Sequence, residues 1–147
     1  MSDIEIRPAT SSDLTAVQSL LRDASLPLDG VEDFFPGNYA VGERAGMVVG
    51  AIGVERYGDY GLLRSAVVTE TERGSGLGAR LTRERLDWGR AQNMRSIYLL
   101  TTRAAPFFER IGFARIDRHE VPAEVQAAPE FATICPASAV VMRRACQ

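Results

Sequence analysis

Three glycines at alternating positions, Gly74, Gly76 and Gly78, lie between an apolar run and a segment with helical periodicity. A strand followed by a glycine-rich turn and a helix creates an anion site, because the first amides of a helix lack internal partners and face the positive end of the helix dipole. Arg73 adds a permanent cation beside the turn. The spacing therefore predicts a phosphate-binding loop over residues 73–79.

The spacing of these glycines separates the loop from two common nucleotide-binding patterns. A Walker loop requires a lysine, and all 17 basic residues of this chain are arginines. The Rossmann pattern G-x-G-x-x-G also fails, because the glycines here follow G-x-G-x-G in the middle of the chain. Taken alone, the segment is also compatible with a tight turn that binds nothing.

A second segment, A-P-F-F-E-R-I-G-F at residues 105–113, follows the loop. Together with R-x-x-G-x-G at residues 73–78, it resembles the acetyl-CoA-binding motifs of the GNAT acetyltransferases. The likeness extends from residue 4 to residue 143 and implies one N-acetyltransferase domain over residues 1–147. It implies an α/β (α+β) fold, with a mixed, mostly antiparallel sheet of six or seven strands, helices on both faces and splayed central strands.

The resemblance also implies acetyl-CoA as cosubstrate and no metal. The backbone of Val67 and Val68 would pair with the pantetheine arm, the amides of residues 73–79 would hold the diphosphate, and the thioester would lie where strands diverge at Val67 and Leu99. The full set of residues expected to contact the coenzyme is Val67, Val68, Arg73, Gly74, Ser75, Gly76, Leu77, Gly78, Ala79, Thr102, Phe107 and Phe108.

Acetyl transfer to an amine requires a base, because most alkyl amines are protonated at pH 7. Glu55 is the predicted base, acting through water, and it lies close in sequence to Tyr57, Asp59 and Tyr60. The alternative is a solvated surface glutamate beside Arg56.

The acid that protonates the departing thiolate is a Tyr in many GNAT proteins, and Phe108 stands at the matching position. That role cannot be carried over. Ser138, Thr101, Tyr60 or water are the substitutes, and a thiol with a pKa of about 8.5 is also able to leave unprotonated. Phe108 is expected to be a packing residue near the pantetheine arm.

Arg64 lies within an apolar strand, where a buried cation needs an anionic partner. The partner is either an internal acid such as Asp59 or Glu70, or the carboxylate of an amino-acid-like substrate held by the guanidinium fork.

Several further segments resemble the N-acetyltransferases encoded in bacterial arsenic-resistance operons. These are residues 57–65, 98–102, 135–142 and the substrate-side loop 26–32. The resemblance implies acetylation of a small amino-acid-like toxicant, such as an arsenic- or phosphorus-containing glutamate analogue, with Arg64, Arg103 and Glu32 as substrate-binding residues. The alternatives are an acetyltransferase for a protein N-terminus or a polyamine, and a non-catalytic acyl-CoA sensor.

Composition argues against several other partners. A formal charge of −2 gives no surplus of cations for nucleic acid, and no run of apolar residues has the length that a membrane span needs. Without a secretion signal or a disulfide framework, the prediction is a cytoplasmic protein that acts on a small-molecule amine and is compatible with a homodimer. His119 is expected at the surface of an edge strand, and Cys135 is interpreted as a small buried residue.

The elements that must position these residues follow from periodicity and turn residues. Strands are predicted at residues 4–6, 39–43, 47–57, 62–68, 97–100, 114–121 and 139–143. Helices are predicted after a cap at Ser11 or Ser12, at residues 76–92 and at residues 106–111, with one helical turn within residues 25–37.

Overall fold

Seven strands of the described chain form one sheet, in the order β1-β2-β3-β4-β5-β7-β6. The computed structural model describes residues 3–134 and 138–146. The strands are β1 (Glu5–Pro8), β2 (Tyr39–Arg44), β3 (Met47–Tyr57), β4 (Tyr60–Val68), β5 (Ser96–Thr101), β6 (Ala114–Ile116) and β7 (Val140–Ala145). Strands β4 and β5 pair in parallel, whereas the pairs β1–β2, β2–β3, β5–β7 and β6–β7 are antiparallel, so the sheet is mixed and mostly antiparallel, as expected.

Four of the five helices in the described chain lie where the sequence predicts a helix or a helical turn, and the short fifth helix is not predicted. The helices are α1 (Leu14–Asp23), α2 (Val31–Phe34), α3 (Leu77–Ala91), α4 (Ala105–Arg110) and α5 (Ala123–Gln126). Short 3-10 turns occupy Ser11–Asp13, Glu70–Glu72 and Arg118–Glu120, and a π-helical turn occupies Glu130–Ile134. Among the described residues, no helix is both long enough and apolar enough to cross a bilayer.

The chain divides into two compact units. The first comprises Met1–Gly53 and Ser65–Arg85, and the second comprises Val54–Arg64 and Leu86–Gln147. Strands β3 and β4 and helix α3 each contribute residues to both units. The expectation of a single domain over the whole chain therefore stays a prediction.

The core of the first unit forms because α1 repeats apolar residues at helical spacing. Val17 and Leu21 are fully buried against Tyr39, Val41 and Val67 from the strands. Helix α3 packs close to β3, because a Cβ at Gly50 would lie only 3.0 Å from Leu77 and Leu81 side-chain atoms. The absence of a side chain at Gly50 thus allows the first turns of α3 to lie this near to the sheet.

The core of the second unit is built on β5 and β7. Leu62, Tyr98 and Val141 pack with residues from the segment after β6, including Val125 and Phe131. The parallel pairing of β4 with β5 joins Tyr60–Leu62 to residues 96–98, and both strands continue beyond the last pair.

Two sequence expectations about element boundaries are wrong. The predicted cap at Ser11 or Ser12 is replaced by a 3-10 turn that starts after Thr10, whose amide donates to the Asp13 carboxylate at 2.8 Å. The strand predicted over residues 114–121 ends at Ile116, and a capping box between Asp117 and Glu120 starts a 3-10 turn in its place.

Candidate functional site

The glycine loop leads from the end of β4 into α3, as the sequence predicts. The Thr69 amide donates to the Val49 carbonyl at 2.8 Å, which fixes the point where the chain leaves the sheet. Gly74 and Gly76 have φ angles of 83° and 88°, a region that disfavours residues with a Cβ. A Cβ built at either glycine would meet no atom within 4 Å, so the loop surface is open at both positions.

An ion pair fixes the start of this loop. Arg44 on β2 donates to both carboxylate oxygens of Glu72, at 2.7 and 2.9 Å. This hydrogen bonding lowers the pKa of the Glu72 carboxyl. The Glu72 carbonyl in turn accepts from the amide and the hydroxyl of Ser75, at 3.2 and 2.6 Å. The loop is therefore held by the side chains of Glu72 and Ser75, as well as by its backbone, before α3 begins.

The first turn of α3 presents amides that are not used by the described protein. The Leu77 amide donates to the Ser75 hydroxyl at 3.3 Å, and the Arg80 amide donates to the Gly76 carbonyl at 3.1 Å. The amides of Gly76, Gly78 and Ala79 donate to no acceptor in residues 3–134 or 138–146.

The charge of this end of α3 suits an anion. Arg73 is exposed and forms no ion pair within the described chain. The helix dipole adds partial positive charge at the same end, within the reach of the unused amides. A phosphate or diphosphate group fits these donors, and the open glycines leave room for it.

Strand β4 ends at the two valines, Val67 and Val68, that are expected to contact the coenzyme. The Val67 side chain is only 6% exposed and packs in the core of the first unit, whereas Val68 is half-buried. Any contact of Val67 with a coenzyme arm would have to use its main chain.

Glu55 and Arg64 lie together in the second unit, and the expectation that Arg64 has an anionic partner is confirmed. Arg64 Nη1 donates to Glu55 Oε2 at 2.9 Å, and Arg64 Nε lies 3.7 Å from Glu130 Oε2. The paired acids are Glu55 and Glu130, not the expected Asp59 or Glu70. Glu55 is 2% exposed, so the alternative of a solvated surface glutamate is wrong.

Tyr57 completes this cluster by donating its hydroxyl to Glu55 Oε1 at 2.5 Å. Burial and the hydrogen bond to the Glu55 carboxylate raise the pKa of Tyr57 well above its ordinary value, so its proton stays in place at neutral pH. Glu130 is not predicted from the sequence, because it lies in an Ala- and Pro-rich connection without periodicity.

The other predicted catalytic and substrate residues are dispersed over the two units. In the second unit Ser138 and Arg103 are exposed, and Tyr60 is half-buried with its ring 6.0 Å from that of Tyr98. In the first unit Glu32 on α2 is exposed and accepts from Gln18 at 3.2 Å. Thr101 Oγ1 accepts from the Ala104 amide at 2.9 Å, next to the exposed Thr102.

Phe108 is a packing residue of the second unit, as expected. It is 6% exposed, and its ring lies edge-on to those of Phe107 at 5.0 Å and Phe113 at 5.6 Å. Its side chain has no proton to donate.

The remaining chemically active residues do not join a site. His119 is exposed, but it lies in a 3-10 turn rather than on the expected strand. Cys146 is buried, and burial raises the pKa of its thiol, whereas Cys135 lies outside the described residues. Within residues 3–134 and 138–146, no group of His, Cys, Asp or Glu side chains is arranged to hold a metal ion.

The fold and the loop are those of a known family. The family model described as "Acetyltransferase (GNAT) domain" matches residues 36–115, which is more than half of the chain. The chain therefore belongs to the GNAT acetyltransferase domain family. Among curated proteins, no sequence matches it.

Solved structures with the same fold include an N-acetylglutamate synthase from Neisseria gonorrhoeae complexed with coenzyme A and N-acetyl-glutamate. It has a TM-score of 0.87 and 18% identity, and the alignment covers 100% of this chain but 36% of that one. The chain thus spans about a third of that relative's length.

Two other similar structures are covered almost completely. Rv2747 from Mycobacterium tuberculosis, in complex with CoA and the ligand NLQ, has a TM-score of 0.82 and 21% identity over 96% of this chain and 98% of that chain. An aminoglycoside 6'-N-acetyltransferase complexed with coenzyme A has a TM-score of 0.75 and 15% identity over 97% of both chains.

Proposed function

We propose that the chain is an acetyl-CoA-dependent N-acetyltransferase that acts on the amine of a small amino-acid-like substrate. The observation that carries the proposal is the open loop before α3, where the amides of Gly76, Gly78 and Ala79 have no acceptor in the described chain. Membership in the GNAT family and a fold that binds coenzyme A in other proteins both support this assignment.

In this proposal the loop holds the coenzyme and leaves its thioester free to react. The diphosphate is seated on the amides of the first turn of α3, with the Arg73 guanidinium as counter-charge. The adjacent backbone of β4 binds the pantetheine arm in the manner of an added strand. Acetyl-CoA supplies the acetyl group, and the thiolate is the leaving group.

Glu55 remains the candidate base. Its two oxygens already accept from Tyr57 and Arg64, which fixes the carboxylate plane, and each oxygen keeps a second lone pair for a water molecule that relays the proton. Tyr60 and Ser138 are the candidate acids. A thiolate that departs unprotonated at pH 7 costs only about 2 kcal/mol, so the absence of a Tyr at Phe108 does not prevent transfer.

The substrate side of the proposal favours Arg103 over Arg64 as the contact for an anionic group. Arg103 is exposed, whereas Arg64 is ion-paired with Glu55 and Glu130 in the interior. Glu32 is exposed and would face the ammonium group. The likeness to arsenic-resistance acetyltransferases supports a glutamate analogue that contains arsenic or phosphorus.

Release of free thiol from acetyl-CoA tests the reaction. The substrates to compare are amino acids, phosphinic and arsonic glutamate analogues, polyamines and short peptides. We expect thiol release that depends on the amine and is fastest with an analogue of glutamate. Coenzyme binding without thiol release from any amine would instead indicate an acyl-CoA sensor, which the buried, hydroxyl-free Phe108 favours.

The loop itself is tested by Gly76→Glu. The new carboxylate would occupy the place of the diphosphate, so we expect no measurable binding of CoA by calorimetry. Gly76→Gln imposes the same backbone strain at φ 88° without the charge and should retain part of the affinity. Gly37→Glu adds the same charge at an open position without a positive φ and should bind CoA normally. Unchanged affinity in Gly76→Glu would contradict the assignment.

A further inference from the structure

Tyr39 on β2 reaches across β3 to β4. Its register partner on β3 is Gly53, and a Cβ at Gly53 would lie 2.5 Å from Tyr39 Cζ. The ring thus lies directly over the glycine, and its hydroxyl is 3.0 Å from the Ser65 hydroxyl, in a buried position. Any larger residue at Gly53 would displace the ring from Ser65.

Ser65 is the residue of β4 whose backbone leaves the extended conformation of the strand. Its φ is 58°, a left-handed conformation that is rare for a residue other than Gly, Asn or Asp and costs about 1 kcal/mol or more. The side chain is buried, and its hydroxyl is paired with that of Tyr39. The hydroxyl pair holds this strained residue in place.

The turn between β3 and β4, together with one hydrogen bond between these strands, indicates that β4 carries one extra residue. The two-residue turn between β3 and β4 places Tyr57 opposite Tyr60, so regular pairing would bring Val68 opposite Val49. The observed hydrogen bond joins Val49 to Thr69. The additional residue makes a β-bulge, and the positive φ places it at Ser65.

The bulge decides which backbone groups of β4 point away from β3. Thr69 donates to Val49, and the Val67 carbonyl lies 3.2 Å from the Cβ position of Gly50, so both residues face β3. In an antiparallel pair the orientation alternates, so the amides and carbonyls of Ala66 and Val68 point away from β3. Without the bulge, this alternation would be inverted.

We infer that Tyr39 and Ser65 are positioning residues for the coenzyme, because their hydroxyl pair fixes the bulge that turns the backbone of Ala66 and Val68 outward. The inference rests on the proposed function, and the outward groups are the ones that bind the pantetheine arm. Under this inference the backbone of Ala66, not that of Val67, contacts the pantetheine arm together with Val68.

The test compares Tyr39→Phe, Ser65→Gly, Ser65→Val and the double variant Tyr39→Phe/Ser65→Gly. CoA affinity is measured by calorimetry, and amide hydrogen exchange by NMR with and without CoA. In the wild type, CoA should slow exchange at Ala66 and Val68 as well as at Gly78 and Ala79.

Tyr39→Phe keeps the ring but loses the hydroxyl, so we expect CoA affinity and the protection at Ala66 and Val68 to fall about tenfold, with protection at Gly78 unchanged. Ser65→Val should lose more, because a β-branched residue resists a positive φ. Glycine adopts this φ freely, so Tyr39→Phe should leave CoA affinity almost unchanged in the Ser65→Gly background.

Three results separate the possibilities. The inference would be overturned if Tyr39→Phe lowered CoA affinity equally in the wild-type and Ser65→Gly backgrounds, or if protection from exchange fell equally at Val68 and Gly78. Tyr39 and Ser65 would then have only a structural role. Absence of CoA binding in the wild type would instead overturn the proposed function. If Ser65→Val does not fold, the comparison of Tyr39→Phe between the two backgrounds still decides.

Discussion

Asp13 illustrates how a single carboxylate couples the first unit to pH. It is 6% exposed and accepts from Arg7 at 2.8 and 3.0 Å, and this hydrogen bonding lowers its pKa from 3.8 to about 2. A carboxylate whose pKa is lower in the folded state than in the unfolded state stabilises the protein. This stabilisation is complete at pH values above the unfolded-state pKa and is lost as the pH falls towards the folded-state pKa. We expect about 2 kcal/mol of folding free energy to disappear between about pH 4 and pH 2.

Asp13→Asn checks this expectation. The variant should be less stable at pH 7 and should lose less stability than the wild type on acidification, as measured by urea unfolding at a series of pH values. Asp33→Asn, at an exposed position of α2, is the control and should leave the wild-type pH profile unchanged. A wild-type profile in Asp13→Asn would show that another carboxylate is responsible.

Residue identity alone did not predict the partners of Arg64. A buried guanidinium in an apolar strand requires an acid, and that inference is confirmed by Glu55. The choice of Glu130 depends on a segment whose path has no periodic signal in the sequence. Long-range ion pairs of this kind follow from the fold and cannot be read from sequence spacing.

At the scale of elements, the glycine loop depends on an anchor on a neighbouring strand. Arg44 holds Glu72 at its carboxylate, and Glu72 holds Ser75 by its carbonyl. Arg44→Gln removes the cation, so the negative charge of the Glu72 carboxylate near the loop loses its ion-pair partner. We expect the dissociation constant for CoA to rise roughly two- to fivefold, measured by calorimetry.

Two further variants test whether the bidentate hydrogen bonding of the Arg44 guanidinium to Glu72 affects CoA affinity. Arg44→Lys keeps the charge but cannot donate in the same bidentate manner, so its effect should lie between wild type and Arg44→Gln. Arg22→Gln removes an exposed charge from α1 and should leave CoA affinity unchanged. Equal CoA affinity in Arg44→Gln and the wild type would mean that the loop keeps its shape without this ion pair.

Elements with strong local signals are the ones that the sequence predicts best. The turn between β2 and β3, the helix after the glycine loop and the glycine after α4 lie within one or two residues of their expected positions. The segment after β6 is harder, because Asp117 and Glu120 form a capping box that ends the strand early. The turns at Ala123–Gln126 and Glu130–Ile134 are too short for periodicity to reveal.

The bulge in β4 shows a different limit of sequence reasoning. Ser65 is an ordinary strand residue by type, and nothing in the run from Leu62 to Val68 signals a positive φ. Its conformation depends on the pairing of three strands and on Tyr39, whose ring requires the glycine at position 53. Contacts across three strands decide this geometry, so the sequence could locate the strand but not the bulge.

At the scale of the whole chain, three elements run through both compact units. Strands β3 and β4 and helix α3 would each have to break in the middle for one unit to unfold alone. Breaking a strand exposes backbone hydrogen-bonding groups that cost free energy when unpaired, so partial unfolding is unfavourable. We therefore expect the units to unfold together, consistent with the prediction of one domain.

Leu21→Ala tests this cooperativity, because Leu21 is fully buried in the core of the first unit, while Trp88, the one tryptophan of the chain, lies in the second unit. The cavity should cost about 2–5 kcal/mol, and both Trp88 fluorescence and far-UV circular dichroism should shift to the same lower denaturant midpoint. Thr15→Ala, at an exposed position of α1, should move neither signal. If the fluorescence midpoint of Leu21→Ala stays at the wild-type value while the dichroism shifts, the second unit folds independently of the first, because Trp88 then reports a core that the cavity does not reach.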